Sequence, residues 1–164
     1  MKKELLLTAM ITAGITTTAF AASNLDISAT TAAPLSMKNS IAYGGNNKVE
    51  NGMFSPVNNI LLGGDNNTVR PSASNSITSG MNNTASGPGS IVAGWYNTNS
   101  ATHSLVVGTS NTVGGTNNIA GGFNHANNDN AINSLLVGAH NSIDGKNSVA
   151  LGMNNILKGN NALV

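Results

Sequence analysis

Cysteine is absent from the 164 residues, so this chain holds its shape without the disulfides that small extracytoplasmic domains use. Stacked backbone hydrogen bonding must take their place. Charged residues make up 8% and aromatic residues 4%, with a single tryptophan, so the large side chains of a globular core are missing. Disorder does not follow from this. Disordered segments pair low hydrophobicity with high net charge, whereas 40% of these residues are apolar and fall at regular positions. No heptad run is present, which excludes a coiled coil.

The one long apolar run, Leu5 to Phe20, is diluted by Thr8, Thr12, Thr16, Thr17 and Thr18. It is too short and too polar for a membrane-spanning helix, which needs about 20 strongly apolar residues. Lys2 and Lys3 precede it, and Ala19-Phe20-Ala21 supplies a small-x-small cleavage site. Residues 1–21 therefore read as a signal peptide cut after Ala21 or Ala22, leaving an exported chain with no membrane span. Past residue 21, Lys38, Lys48, Arg70, Lys146 and Lys158 cancel Asp26, Glu50, Asp65, Asp129 and Asp144. A balance of this kind gives no electrostatic capture of nucleic acid or of an anionic membrane.

What the chain has is repetition. From residue 39 on, a small polar residue followed by a short apolar triplet is closed eight times by glycine, at Gly44, Gly63, Gly80, Gly94, Gly108, Gly122, Gly138 and Gly152. The spacings are 19, 17, 14, 14, 14, 16 and 14, so the base unit is 14 residues and the longer steps are loop insertions. A fixed period of this kind marks a stacked solenoid. Residues 22–38 are expected to be a linker and residues 39–164 the repeat domain.

The residue three before each glycine is Ile, Leu or Val in all eight units, as in Asn147-Ser148-Val149-Ala150-Leu151-Gly152. Such runs, bounded by Asn, Ser and Gly, are strand-like and too short for helices. Five residues after the glycine an apolar residue often returns, at Val49, Ala85, Val113, Ile143 and Leu157, which predicts a second strand per unit. Asparagine, of which there are 28, stands third after the glycine at Asn47, Asn66, Asn83, Asn97, Asn111, Asn141 and Asn155, with His125 the exception. Asn tolerates left-handed backbone and suits a tight corner. Its amide can also bond from coil to coil as a ladder.

The fold class is thus an all-β parallel β-solenoid of about 14-residue coils, stacked at roughly 4.8 Å. Triplets such as Leu61-Leu62 and Val106-Val107 put apolar groups on both faces of one strand, and a two-strand coil covers only one of them from within. The other face needs further chains, because soluble monomers avoid large exposed apolar patches. Copy number is left open by this reasoning.

The unit Asn147-Ser148-Val149-Ala150-Leu151-Gly152 with Asn154-Asn155 resembles the head repeat of YadA-like trimeric autotransporter adhesins, and the likeness runs from about Asn39 to Val164. Units such as Ser76-Ile77-Thr78-Ser79-Gly80 depart from the usual wording. The resemblance implies a left-handed parallel β-roll, a homotrimer, and binding to host extracellular matrix or a cell-surface protein from the bacterial outer membrane. In that family a neck, a coiled-coil stalk and a β-barrel anchor follow the head. This chain stops at Asn161-Ala162-Leu163-Val164, inside a ninth unit. Expected arrangements are a truncated adhesin, a released soluble head or a head held by another protein, with truncation favoured.

Catalytic and metal chemistry find few residues. Repeated calcium sites need an aspartate in each short unit, and the repeats hold only Asp65, Asp129 and Asp144. Asp129 and Asp144 lie near adjacent coils, yet the expectation is turn formation and no hydrolysis. His125 and His140 stand at neighbouring corners, where surface histidines are commoner than zinc ligands. No catalytic residue, metal or cofactor is expected. Trp95-Tyr96 is the candidate ligand contact, since aromatics concentrate at binding hot spots, and the competing role is to cover a seam between subunits. The insertions at residues 53–57, 70–74 and 127–131 are further candidate contact loops. The expected function is adhesion, and the alternative is a self-associating module without a defined ligand.

Overall fold

The computed structural model describes residues 25–28, 41–50 and 60–164, with side chains over 44–50 and 64–164. The expected signal peptide and the insertion at residues 53–57 lie outside the described residues. Among the described residues there are two parallel sheets, one of nine strands and one of eight, and from Ile41–Gly44 onward successive strands of the chain alternate between them. Each coil contributes a strand of about five residues, such as Leu105–Thr109, to the first sheet and a strand of two or three, such as Thr112–Val113, to the second. This is a parallel β-solenoid of about 14-residue coils. The first sheet begins earlier than expected, because Leu25–Ser28, within the stretch expected as linker, pairs in parallel with Ile41–Gly44.

One side chain from each strand fills the interior. In the long-strand sheet it is the residue two before the glycine, giving Thr78, Val92, Val106, Ala120, Leu136 and Ala150, all fully buried. In the short-strand sheet it is the residue five after, including Val49, Val69, Ala85, Val113, Ile143 and Leu157. The core divides into two clusters, one ending at Ala120 and the other running from Ala131 to Leu157. Between them the inward residues are His125 and Asn127.

Glycine is demanded at one column. Gly108 sits at φ 127°, and a Cβ there would collide with the carbonyl oxygen of Gly122 in the next coil. Left-handed backbone combined with direct contact between coils leaves only hydrogen at that position. Seven of the eight sequence-assigned glycines occupy this column. The exception is Gly63: the register shifts between Leu61 and Gly64, so that Gly64 pairs with Gly80 and takes the positive φ of 105°. The cause is a β-bulge in the six-residue strand Ile60–Asp65, which carries one residue more than its partner Ile77–Met81. Counting from Gly64 puts Asn67 third after the glycine and Val69 fifth, both buried as in other coils.

The asparagine corner also differs in detail. The left-handed residue is the second after the glycine, as at Asn82 (φ 56°), Tyr96 (φ 56°) and His140 (φ 54°). The third is buried in every coil but the last, where Asn155 is half-buried, and forms the ladder. Asn83 Nδ2 donates to Asn67 Oδ1, Asn97 Nδ2 to Asn83 Oδ1 and Asn111 Nδ2 to Asn97 Oδ1, each at 3.0 Å. The same oxygens accept the backbone N–H of the next coil. A second ladder runs through buried serines, with the N–H of Ser90 donating to Ser76 Oγ at 3.2 Å and that of Ser104 to Ser90 Oγ at 3.1 Å. These polar groups are buried at no net loss because each is paired.

Candidate interaction surface

Strand alternation fixes what each sheet shows to the outside. On the long-strand sheet the outward residues are those three and one before the glycine. Thus the most regular apolar column in the sequence, which includes Ile91, Leu105 and Ile119, points out of the coil, and Val107, Val137 and Leu151 stand beside it. In Val106-Val107 the first residue is fully buried and the second 44% exposed, which is the two-faced strand that the sequence required. No charged residue stands at these positions from Ile77 to Leu151.

The short-strand sheet is different. Thr68, Thr84, Thr98 and Thr112 lie in register along its outer side, followed by Ala126 and Ser142. Lys48 donates to Glu50 at 3.1 Å at one end of this side, and Arg70 lies 4.0 Å from the same carboxylate. Such exposed pairs contribute about 0–1 kcal/mol. The molecule has one apolar flank and one hydroxyl-rich flank.

Trp95 and Tyr96 are 57% and 58% exposed. Trp95 ends the strand Ile91–Trp95 on its outer side, in register with Met81 and Thr109, and so borders the apolar flank. Tyr96 is the left-handed corner residue that follows. The insertions that the structure describes form turns: the N–H of Ala73 donates to Arg70 O at 2.9 Å, and that of Ala131 to Asn128 O at 2.9 Å. Both alanines are buried at the place that Ala101 holds in a 14-residue coil. Ala73, Gly87, Ala101, Gly115, Ala131, Gly145 and Gly159 form this second corner, restricted to Ala and Gly, a column that the sequence displays and that a reading anchored on the first glycine column passes over.

The two histidines are not equivalent neighbours. His125 is buried in the asparagine ladder: its N–H donates to Asn111 Oδ1 at 2.9 Å, its Nδ1 accepts from the N–H of Asn141 at 3.2 Å, and its Nε2 lies 3.1 Å from Gly121 O. Both ring nitrogens are therefore engaged. His140 stands at the outer, left-handed corner, 3.1 Å from Asn124 Nδ2 and edge-on to the ring of Phe123 with centroids 5.2 Å apart. The difference arises because His125 is third after its glycine and His140 second.

The two aspartates diverge as well. Asp129 places its carboxylate against Gly114 of the preceding coil, while Asp144 accepts from Asn130 Nδ2 at 3.3 Å and pairs in register with Lys158 of the following one. They share no hydrogen-bond donor. Among the described residues no group of three or more His, Asp or Glu side chains is placed to hold a metal ion, and no helix is long and apolar enough to cross a membrane.

The fold and its faces define a class, the parallel β-solenoid with one apolar flank. No protein-family model matches the chain, and no curated protein matches it in sequence.

Proposed function

We propose that the protein is the head of an exported bacterial adhesin, in which three copies of a left-handed β-roll pack their apolar flanks about a common axis and present the polar flanks to host matrix or cell-surface protein. The observation that carries this reading is the uncharged apolar outer side of the long-strand sheet on a rod that is otherwise neutral and polar. Large contiguous apolar patches on soluble proteins mark interaction sites, and a solenoid whose inner face is already filled has no intramolecular use for a second one. The resemblance to YadA-like head repeats supplies the copy number, the hand and the surface location.

Adhesion then rests on repetition. A rigid trimer offers the same polar coils many times, so weak contacts add through effective concentration. Binding of the oligomer to matrix-coated surfaces, with sharp loss on dissociation to single chains, is the expected result; equal binding by single chains counts against it. The same flank also suits a module that glues cells to one another without a ligand, for which autoagglutination in the absence of matrix binding is the signature.

A further inference from the structure

Left-handed corners in this chain belong to polar residues suited to them, with one departure. Among the described residues fourteen other than glycine have positive φ: ten Asn, two His, one Ser, and Tyr96 at 56°. Asn and His tolerate this backbone, whereas a bulky side chain is strained by it. At 58% exposure the Tyr96 ring gains little packing to offset the strain. Backbone strain of this kind persists where a residue serves a site.

Tyr96 does not stand alone. Trp95 beside it and Phe123 two coils on are exposed at 57% and 46%, and Thr109 lies in register between those two. The N–H of Ser110 donates to Trp95 O and that of Asn124 to Thr109 O, each at 2.9 Å, so at the corner itself Ser110 comes between Tyr96 and Asn124. The middle coil is thus floored by two half-buried hydroxyls and flanked by rings. Two steps of about 4.8 Å set the roots of Trp95 and Phe123 roughly 10 Å apart. A ring in van der Waals contact with both needs them about 7–8 Å apart, somewhat more if it is puckered, so the gap takes one saturated ring and not two.

Charge narrows the occupant. No Asp, Glu, Lys or Arg occurs from residue 71 to residue 128, so an ionic ligand finds no counter-charge here. A purely apolar occupant would bury the Thr109 and Ser110 hydroxyls without partners. A pyranose meets both conditions, with C–H groups on its faces and, round its edge, hydroxyls that donate and accept as those of Thr109 and Ser110 do. Resting on the adhesion reading and naming its ligand class, we propose that this corner is a shelf for a neutral β-1,4-linked glycan, whose rings carry no axial hydroxyl to obstruct stacking. One sugar lies over Thr109 between Trp95 and Phe123, and the next stacks on Tyr96. The Asn124 amide nitrogen is held by His140 at 3.1 Å, which leaves its Oδ1 to accept a sugar hydroxyl. Each shelf binds weakly, and several copies add.

Trp95 is the only tryptophan of the chain, so its emission reports the shelf without a label. The full chain is titrated with the β-1,4-linked tetramers of glucose and of N-acetylglucosamine, and a saturable blue shift with at least one of them is expected. No shift with either up to about 10 mM overturns the proposal. Phe123→Ala is expected to weaken binding at least ten-fold, and Thr109→Phe, which fills the gap, to abolish it with circular dichroism unchanged; unchanged binding in either variant overturns it. Tyr96→Asn relieves the corner, and is expected to raise the melting temperature while weakening binding at least ten-fold. A raised melting temperature with binding intact overturns the role of Tyr96 and the proposal with it. Acrylamide is expected to quench Trp95 freely before sugar is added; a shielded Trp95 makes the pair a seam between subunits and overturns the shelf. Matrix binding without a tetramer response sinks the glycan assignment alone, and a tetramer response without matrix binding sinks the matrix reading alone.

Discussion

His125 accepts the backbone N–H of Asn141 on Nδ1 at 3.2 Å, the bond that asparagine Oδ1 atoms accept elsewhere in the column. This fixes the tautomer, with the proton on Nε2 directed to Gly121 O. His125→Asn is therefore expected to continue the ladder and leave the melting temperature nearly unchanged. His125→Leu removes the acceptor, leaves a buried N–H unpaired, and is expected to cost about 1–3 kcal/mol. Thermal denaturation of the two variants side by side checks the contrast.

Position along the ladder sets the cost of breaking it. Asn83 Oδ1 accepts both the N–H and Nδ2 of Asn97, and its own amide reaches Asn67, Ser79 and Gly94. Asn83→Ala is expected to destabilise by about 3 kcal/mol or more, since several buried groups lose partners at once. Asn155 is only half-buried, and its Nδ2 bonds to Leu151 within the same coil. Asn155→Ala is expected to cost about 1 kcal/mol or less in urea unfolding.

Glycines on neighbouring strands of one sheet face opposite fates. Gly108→Ala forces a Cβ into the carbonyl oxygen of Gly122 at a left-handed φ, and is expected to cost about 3 kcal/mol or more. Gly121→Ala meets open space, so folding of the coil, read by circular dichroism, is expected to survive it. Equal damage from both would refute the assignment of the column.

Among the described residues two buried polar side chains have no protein hydrogen-bond partner, Asn127 with both amide atoms and Thr78 with its hydroxyl. Asn99, in the same column as Asn127, pairs with the N–H and carbonyl of Ala101. The two-residue insertion after Asn127 turns the N–H of Ala131 to Asn128 instead. Asn127 stands between Val113 and Ile143, and Thr78 beside Val92. Asn127→Val and Thr78→Val are expected to stabilise by about 1–3 kcal/mol each, measured as a raised denaturation midpoint.

The period, the two strands per coil and the parallel stack are legible in the sequence because glycine and asparagine recur at positions fixed by backbone geometry. The bulge at Gly63 leaves a fainter trace in the sequence. Gly63 and Gly64 are adjacent and either closes the triplet, and only the joint demand of Asn67 and Val69 selects the second. The direction of the apolar columns was likewise hidden: Ile91 and Val92 are alike in sequence, and strand alternation alone puts one outside and the other in the core. Trp95 and Tyr96 were visible as the aromatic pair, but their contrasting settings, strand end and left-handed corner, depend on the φ of one residue.

The measurement that bears most directly on the whole account is the native mass of the chain by sedimentation equilibrium over a hundred-fold dilution. Three chain masses throughout, with the long-strand flank hidden between copies, is the predicted result. A stable single chain at every concentration, leaving Val107, Ile119 and Val137 in water, would contradict it.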